Sequence, residues 1–99
     1  MAERIRRPSR QTIEVLSALA DAGAGWLYGL QIADMTGLQS GTLYPILIRL
    51  DDRGLLESKW IDSERPGAPP RHAYRINGAG RALLREANAS SKRPRTAPA

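Results

Sequence analysis

The chain has 99 residues, a formal net charge of +5 and a pI of about 10.4, a size that suits one small domain with one core. It contains no cysteine, which excludes disulfides, thiolate nucleophiles and cysteine-based zinc sites. The positive excess lies at the two ends: four arginines against one glutamate in residues 1–10, and three basic residues without an acid in residues 91–99. Basic ends favour a nucleic acid or an anionic membrane surface as partner, although such tails can also serve solubility alone.

Other totals narrow the class of protein. No apolar run has the length of a membrane-spanning helix, and the charged N-terminus is not followed by the apolar region of a signal peptide. We therefore expect a cytoplasmic protein with no membrane partner. Arginine outnumbers lysine thirteen to two, which would fit a GC-rich bacterial or phage genome.

The first predicted element follows a basic arm at residues 1–8. Ser9 can accept a hydrogen bond from the first turn of a helix, which should run to about Ala22. Its apolar positions recur at helical spacing: Ile13, Leu16, Leu19 and Ala20. Residues 23–25 are Gly-Ala-Gly and end the helix, and Trp26 is expected to pack beneath the helices that follow.

The next stretch has the pattern of two helices joined by a short turn. Residues 30–35 are compatible with a helix, and a turn containing Gly37 leads into a longer one at residues 40–53. Two helices joined in this way form a helix-turn-helix, although structural helix pairs share the pattern. Ser40 is the predicted N-cap of the longer helix, and Gly54 can take the left-handed conformation that closes it.

This longer helix has two distinct faces. One stripe must be buried: Leu43, Ile46, Leu47 and Leu50. The opposite face consists of Gly41, Thr42, Pro45, Ile48, Arg49 and Asp52. Its early part is small, apolar or hydroxylic. Such a face suits close approach to another surface.

After the helices the period changes. Residues 55–61 and 71–76 alternate as strands do, and residues 62–70 contain three prolines and a glycine, which predicts a loop. Two strands around a loop form a hairpin. Asn77 can cap a last helix, whose apolar pattern fades after Ala89.

The order of elements predicts the fold class. Helix, helix, helix, strand, strand, helix is the order of a winged helix-turn-helix, mainly α with a small β-hairpin wing (α+β), in residues 9–89. Residues 90–99 have no apolar pattern and are expected to form a disordered basic tail.

Three runs, in this order and spacing, resemble the PadR family of bacterial transcriptional regulators. The runs are Ser40-Gly41-Thr42-Leu43-Tyr44-Pro45, then Leu50-x-x-x-Gly54-Leu55-Leu56, then Pro69-Pro70-Arg71-x-x-Tyr74-Arg75-Ile76-x-x-x-Gly80-Arg81. The resemblance extends over residues 12–86. It implies a transcriptional regulator, as first choice a repressor, that binds double-stranded DNA as a homodimer.

The resemblance also implies how the dimer forms. Family members dimerise through a long C-terminal helix, often together with the first helix, so we expect the first and last helices to form the interface. Because the apolar pattern here fades after Ala89, the dimer should either rely on the first helix or be weak. The chain also has Leu30 where the family has a second aromatic residue after its Tyr-Gly pair.

The helix at residues 40–53 is expected to enter the major groove with its N-terminal end first. Ser40 and the neighbouring backbone N–H groups would meet phosphate. Gln39, Thr42 and Arg49 are polar candidates for contacts with bases or backbone, and Pro45 and Ile48 could touch a thymine methyl group. Tyr44 either binds phosphate, as the family motif suggests, or is a boundary residue packed on the hairpin.

The wing at residues 62–71 would place Arg65, Arg71 and His72 along the backbone or the minor groove. His72 is the only histidine, so a metal site is disfavoured. The predicted DNA-binding residues are therefore Gln39, Ser40, Gly41, Thr42, Tyr44, Pro45, Ile48, Arg49, Arg65, Arg71 and His72. Because base-reading side chains are few, specificity should come partly from DNA shape and from two half-sites.

Two other function classes compete with a DNA-binding regulator. The chain lacks a Gly-x-Ser-x-Gly motif and a P-loop, so we expect no enzyme activity and no cofactor. The main alternative is a winged-helix protein-interaction or adaptor module without specific DNA readout, which the nearly neutral middle of the chain favours. A small-molecule effector near Trp26 or Trp60 is compatible with a regulator, but the sequence identifies no ligand.

Overall fold

The computed structural model describes the backbone of residues 8–96 and the side chains of residues 8–89. Within this part of the chain, four helices and one antiparallel sheet of three strands confirm the winged helix-turn-helix. The elements are α1 (Arg10–Asp21), β1 (Leu27–Tyr28), α2 (Gly29–Thr36), α3 (Ser40–Asp52), β2 (Leu56–Ile61), β3 (Arg71–Ile76) and α4 (Gly78–Thr96). The basic arm predicted at residues 1–8 lies, apart from Pro8, outside the described residues.

Local signals set the ends of several helices. The hydroxyl of Ser9 accepts a 3.1 Å hydrogen bond from the N–H of Thr12, as its predicted role at the N-cap requires. Gly37 and Gly54 end α2 and α3 with φ angles of 77° and 74°, a region that L side chains avoid. Immediately before α4, Oδ1 of Asn77 accepts a 2.9 Å hydrogen bond from the N–H of Gly80, which confirms the predicted cap.

One core joins the helices to the sheet. The predicted stripe of α3 is buried, with Leu43 and Leu47 fully inaccessible. It meets apolar side chains from every other helix and from both hairpin strands: Val15, Leu16, Leu19, Ile32, Leu56, Tyr74, Ile76 and Leu84. Burial of this shared core seats the hairpin on α3.

The sheet has the order β1-β3-β2. Strand β1 was not predicted, because it is only two residues long and its pairing with β3 joins Leu27 to Tyr74, which are far apart in the sequence. The hairpin strands are in the register that places Leu56 opposite Ile76 and Trp60 opposite His72. Strand β1 therefore ties the wing to the segment between α1 and α2.

Two predicted boundaries need correction. Ser40 is the first helical residue of α3, and Gln39 occupies the N-cap with an extended backbone. The main-chain carbonyl of Gln39 accepts the N–H groups of Thr42 and Leu43 at 2.9 Å each, so the bonds expected of the Ser40 hydroxyl are made by backbone one residue earlier.

The tail predicted at residues 90–99 is the second correction, since the backbone continues as helix α4 to Thr96. The fading apolar pattern indicates where apolar side chains become scarce, and this alone does not fix where the backbone leaves the helical conformation. Within the side chains described, the buried positions of α4 are Gly80, Leu84 and Ala87. No helix in the described part of the chain is long and apolar enough to cross a membrane.

Candidate nucleic-acid interface

Helix α3 presents one face to solvent, as its pattern predicted. Gly41, Pro45 and Arg49 are exposed, and Ile48 is 60% exposed although it is a large apolar residue. Pro45 lies inside the helix and has no N–H to donate to the carbonyl of Gly41. The face therefore combines the carbonyl of Gly41, which lacks its usual helical donor, with the apolar side chain of Ile48 and the guanidinium of Arg49. Thr42 is half-buried at the margin of this face.

Tyr44 lies where α2 meets α3. Its ring rests against Gly29, the first residue of α2, so closely that a Cβ added to Gly29 would stand 2.7 Å from Cζ of the ring. The side chain remains 37% exposed. Tyr44 is thus a boundary residue packed on the start of α2, and its free edge still faces solvent beside the exposed face of α3.

The hairpin is seated on the adjacent side of α3. Oγ of Ser58 in β2 donates to Oδ2 of Asp51 in α3 at 3.0 Å, and Tyr74 in β3 is buried. Burial raises the pKa of the Tyr74 hydroxyl above its ordinary 10.0, and the charges of Tyr44 and Asp51 raise that pKa further. Tyr44 and Asp51 are seven residues apart and therefore lie on one side of α3. This is the side of α3 that the hairpin covers.

Three aromatic rings form a stack along this face of the hairpin. His72 lies between Tyr74 and Trp60, with ring centroids 4.6 Å and 4.3 Å away, and it is nearly parallel to the indole at 15°. Nδ1 of His72 is hydrogen-bonded to the hydroxyl of Tyr74 at 3.0 Å. Trp60 ends the stack and is 65% exposed. We define Trp60, His72 and Tyr74 as the aromatic stack; the alternation in β2 placed Trp60 on this face but did not indicate a functional role.

The other face of the sheet carries the cations. The guanidinium of Arg71 lies 3.9 Å from the ring centroid of Tyr28, and Lys59 and Arg75 each lie 4.3 Å from the ring of Trp26. Arg75 also pairs with Glu57. Trp26 is therefore held under two cations, whereas it was expected to pack beneath the helices.

The structure thus separates two residues that sequence reasoning grouped in the wing. His72 and Arg71 are consecutive in β3, so their side chains point to opposite faces. Arg65 is exposed in the loop, beside a groove of about 490 Å³ that Asp62, Glu64 and Arg71 also line. The carboxylates partly neutralise the arginines there.

The described residues contain no group of three His, Cys, Asp or Glu that could hold a metal ion. The features that the structure does bring together are the exposed face of α3, the edge of Tyr44 and the aromatic stack. Arg71 stands apart on the opposite side of the hairpin.

Comparisons with known proteins agree with this geometry. The model of the transcriptional regulator PadR-like family matches residues 15–86. A PadR-like transcription factor from Bacteroides fragilis is 30% identical, with 84% of each chain covered and a TM-score of 0.68. A PadR family transcriptional regulator from Eggerthella lenta DSM 2243 is also 30% identical, with 78% of this chain and 70% of that chain covered and a TM-score of 0.66.

A PadR family transcription regulator from Clostridium difficile R20291 has the same fold, with a TM-score of 0.70 at 23% identity and coverage of 83% of this chain and 86% of that one. Among curated proteins, none matched the chain.

Proposed function

We propose, because this chain belongs to the PadR-like family of transcriptional regulators, that it represses transcription by placing α3 in the major groove of operator DNA. The observation that carries this proposal is the exposed face of α3. Gly41 and Pro45 have small side chains, which allow close approach of the helix to DNA, and Arg49 supplies a guanidinium. A major groove admits a helix, and its base edges distinguish all four base pairs.

The residues of α3 offer different kinds of contact to DNA. Arg49 can donate two parallel hydrogen bonds to a guanine edge or pair with a phosphate. Gln39 and Thr42 offer polar groups near the start of the helix, while Pro45 and Ile48 offer apolar contact to a thymine methyl group. The first-turn N–H groups at Ser40 and Gly41 point along the axis of α3, an arrangement that suits a phosphate.

The wing supplies a second, weaker set of contacts. Arg65 is exposed in the loop and can pair with a phosphate beyond the groove that α3 occupies. Each such pair releases counterions, so it strengthens binding while making it more sensitive to salt. Arg71 reaches DNA in this arrangement only if its guanidinium leaves the ring of Tyr28.

A homodimer through α1 and α4 completes the proposal. Few side chains on one α3 read bases, and two copies of the helix would read two half-sites. Two features support this interface: the outer side of α4 exposes the small apolar residues Ala79, Ala82 and Ala89 beside the charged Glu86, and α1 borders an open groove of about 320 Å³ beside Met35. Sedimentation equilibrium of the purified chain tests it, and a strictly monomeric protein would contradict it.

The test of function is selection from a pool of random-sequence duplex DNA at two salt concentrations. A dimeric regulator should enrich a roughly palindromic site whose half-sites lie about one helical turn, or a multiple of it, apart. Binding that disappears at the higher salt concentration and enriches nothing would mean that only the basic ends hold DNA. The proposed readout would then be wrong, and the adaptor reading would replace it.

A further inference from the structure

We infer that Trp60 is a further DNA-contact residue, and that the aromatic stack packs its exposed indole against the deoxyribose backbone beside the groove that α3 enters. The inference rests on the proposed function of α3. It adds an apolar contact from the hairpin strands, distinct from the arginines of the wing loop.

The first support is the fixed exposure of the indole. Trp60 is 65% exposed, which is unusual for so large an apolar side chain. The ring is nevertheless held in place, because it lies at 15° to His72, and His72 is hydrogen-bonded to the buried Tyr74. A large ring that is anchored to the core and still open to solvent has the form of a preorganised contact residue.

The second support is continuity with α3. The hairpin face that sits on α3 includes Ser58, which donates to Asp51, and Trp60 lies on the same face two residues further along β2. Two residues of a strand span about 7 Å. The exposed margin of α3 nearest the hairpin carries Tyr44 and Ile48, since at about 100° per residue they lie roughly 20° and 60° around the helix axis from Asp51. Exposed apolar and aromatic side chains therefore lie on α3 and on the hairpin, on either side of the hydrogen bond between Ser58 and Asp51.

The third support is the distribution of charge on the hairpin. Lys59, Arg71 and Arg75 lie over Trp26 and Tyr28 on the opposite face. The face that continues α3 carries aromatic rings in their place. Contact through this face must therefore be largely non-ionic, and the sugar groups of the backbone are the part of DNA that offers apolar atoms along the edge of a groove.

Fluorescence gives a direct test, because the chain has two tryptophans and they lie on opposite faces of the sheet. Trp26→Phe leaves Trp60 as the single reporter, and Trp60→Phe leaves Trp26. Each variant is titrated with a labelled duplex from the selected pool at the higher salt concentration of the selection, with label anisotropy recording DNA binding and acrylamide quenching recording access to the indole. We expect DNA to reduce the quenching of Trp60 several-fold and to leave that of Trp26 unchanged.

The outcomes separate this inference from the function on which it rests. Binding by anisotropy with unchanged quenching of Trp60 would overturn the inference and leave α3 as the reader. No binding of the duplex by the unmodified chain would overturn both.

A second arm uses affinity and its dependence on salt. Trp60→Ala should weaken binding about tenfold through lost apolar contact, with an unchanged slope of log K against log salt concentration, because no phosphate contact is lost. Trp26→Ala is the matched control and should bind DNA as the unmodified chain does. If Trp60→Ala kept full affinity while its circular dichroism showed an intact fold, the indole would have no role in DNA contact.

Discussion

Gly29 and Tyr44 meet at the junction of α2 and α3, where the tyrosine ring lies directly on the Cα of the glycine. A Cβ at position 29 would stand 2.7 Å from Cζ of Tyr44, and the hydroxyl would be closer still. The contact holds the ring at the margin of the exposed face of α3. It also explains why position 29 is a glycine, since an added Cβ would overlap the ring of Tyr44.

The first prediction is that Gly29→Ala lowers the free energy of unfolding by about 1–3 kcal/mol, the usual cost of overpacking a well-filled site. Urea unfolding followed by circular dichroism measures it. Gly78→Ala is a matched control, because Gly78 is also the first residue of its helix but an added Cβ there meets nothing within 4 Å. The control should be neutral or slightly stabilising; equal losses in the two variants would refute the packing argument.

The second prediction concerns Asn77, which holds two elements at once. Its Oδ1 caps α4 through the N–H of Gly80, and its Nδ2 donates to the carbonyl of Gly54 at 2.8 Å. Asn77→Ala should lower the free energy of unfolding by about 1–2 kcal/mol through loss of the cap alone, with a further loss from the Gly54 bond.

Asn77→Ser separates the two bonds in the same urea experiment, because serine is a good cap but is too short to reach Gly54 with a donor. The expected order of stability is Asn, then Ser, then Ala. A serine variant no more stable than the alanine variant would show that the cap contributes nothing here.

Elements whose signals are local were predictable, and elements formed by distant pairing were not. Ser9, Gly54 and Asn77 act within a few residues of themselves, so the composition around them was enough to place the helix ends. Strand β1 forms only because Tyr28 pairs with Ala73 in β3; two residues show no alternation that could predict a strand.

The candidate site likewise contains residues whose exposure a local pattern predicted and residues whose surroundings it did not predict. The period of α3 was sufficient to predict that Ile48 and Arg49 face solvent, because exposure on a helix follows from its buried stripe. The alternation of β2 placed Trp60 and Ser58 on one face, yet their different environments depend on how far α3 extends beneath the hairpin. Arg71 and His72 were both predicted to contact DNA from the wing, but as consecutive residues of β3 they point to opposite faces of the sheet.

The third prediction is that Arg49→Ala weakens binding to the selected operator by about 1–3 kcal/mol, the range for loss of a bidentate base contact. It should also relax the preference at one base position in a repeated selection. Arg85→Ala removes the same charge from an exposed position on α4 and should leave affinity nearly unchanged, provided that sedimentation shows an unaltered oligomeric state. Equal weakening in the two variants would mean that Arg49 contributes only net charge.

The last prediction follows from the raised pKa of Tyr74, which burial causes first and the charges of Tyr44 and Asp51 increase. In the unfolded chain this hydroxyl ionises with its ordinary pKa of 10.0, whereas the folded protein retains the proton to a higher pH. Above pH 10 the unfolded state therefore binds fewer protons than the folded state, and the free energy of unfolding falls as pH rises. Below that pH the contribution of Tyr74 to stability is fully present.

Chemical unfolding at a series of pH values between about 8 and 11 measures this effect. Tyr74→Phe should be less stable at neutral pH, since it loses the hydrogen bond to His72, but its stability should fall less steeply above pH 10. The difference between the phenolate absorbance titrations of the two folded proteins should have its midpoint above 10.0. Parallel pH profiles for the two proteins would show that the buried hydroxyl does not couple ionisation to folding, and a midpoint at or below 10.0 would contradict the burial of Tyr74 between the hairpin and α3.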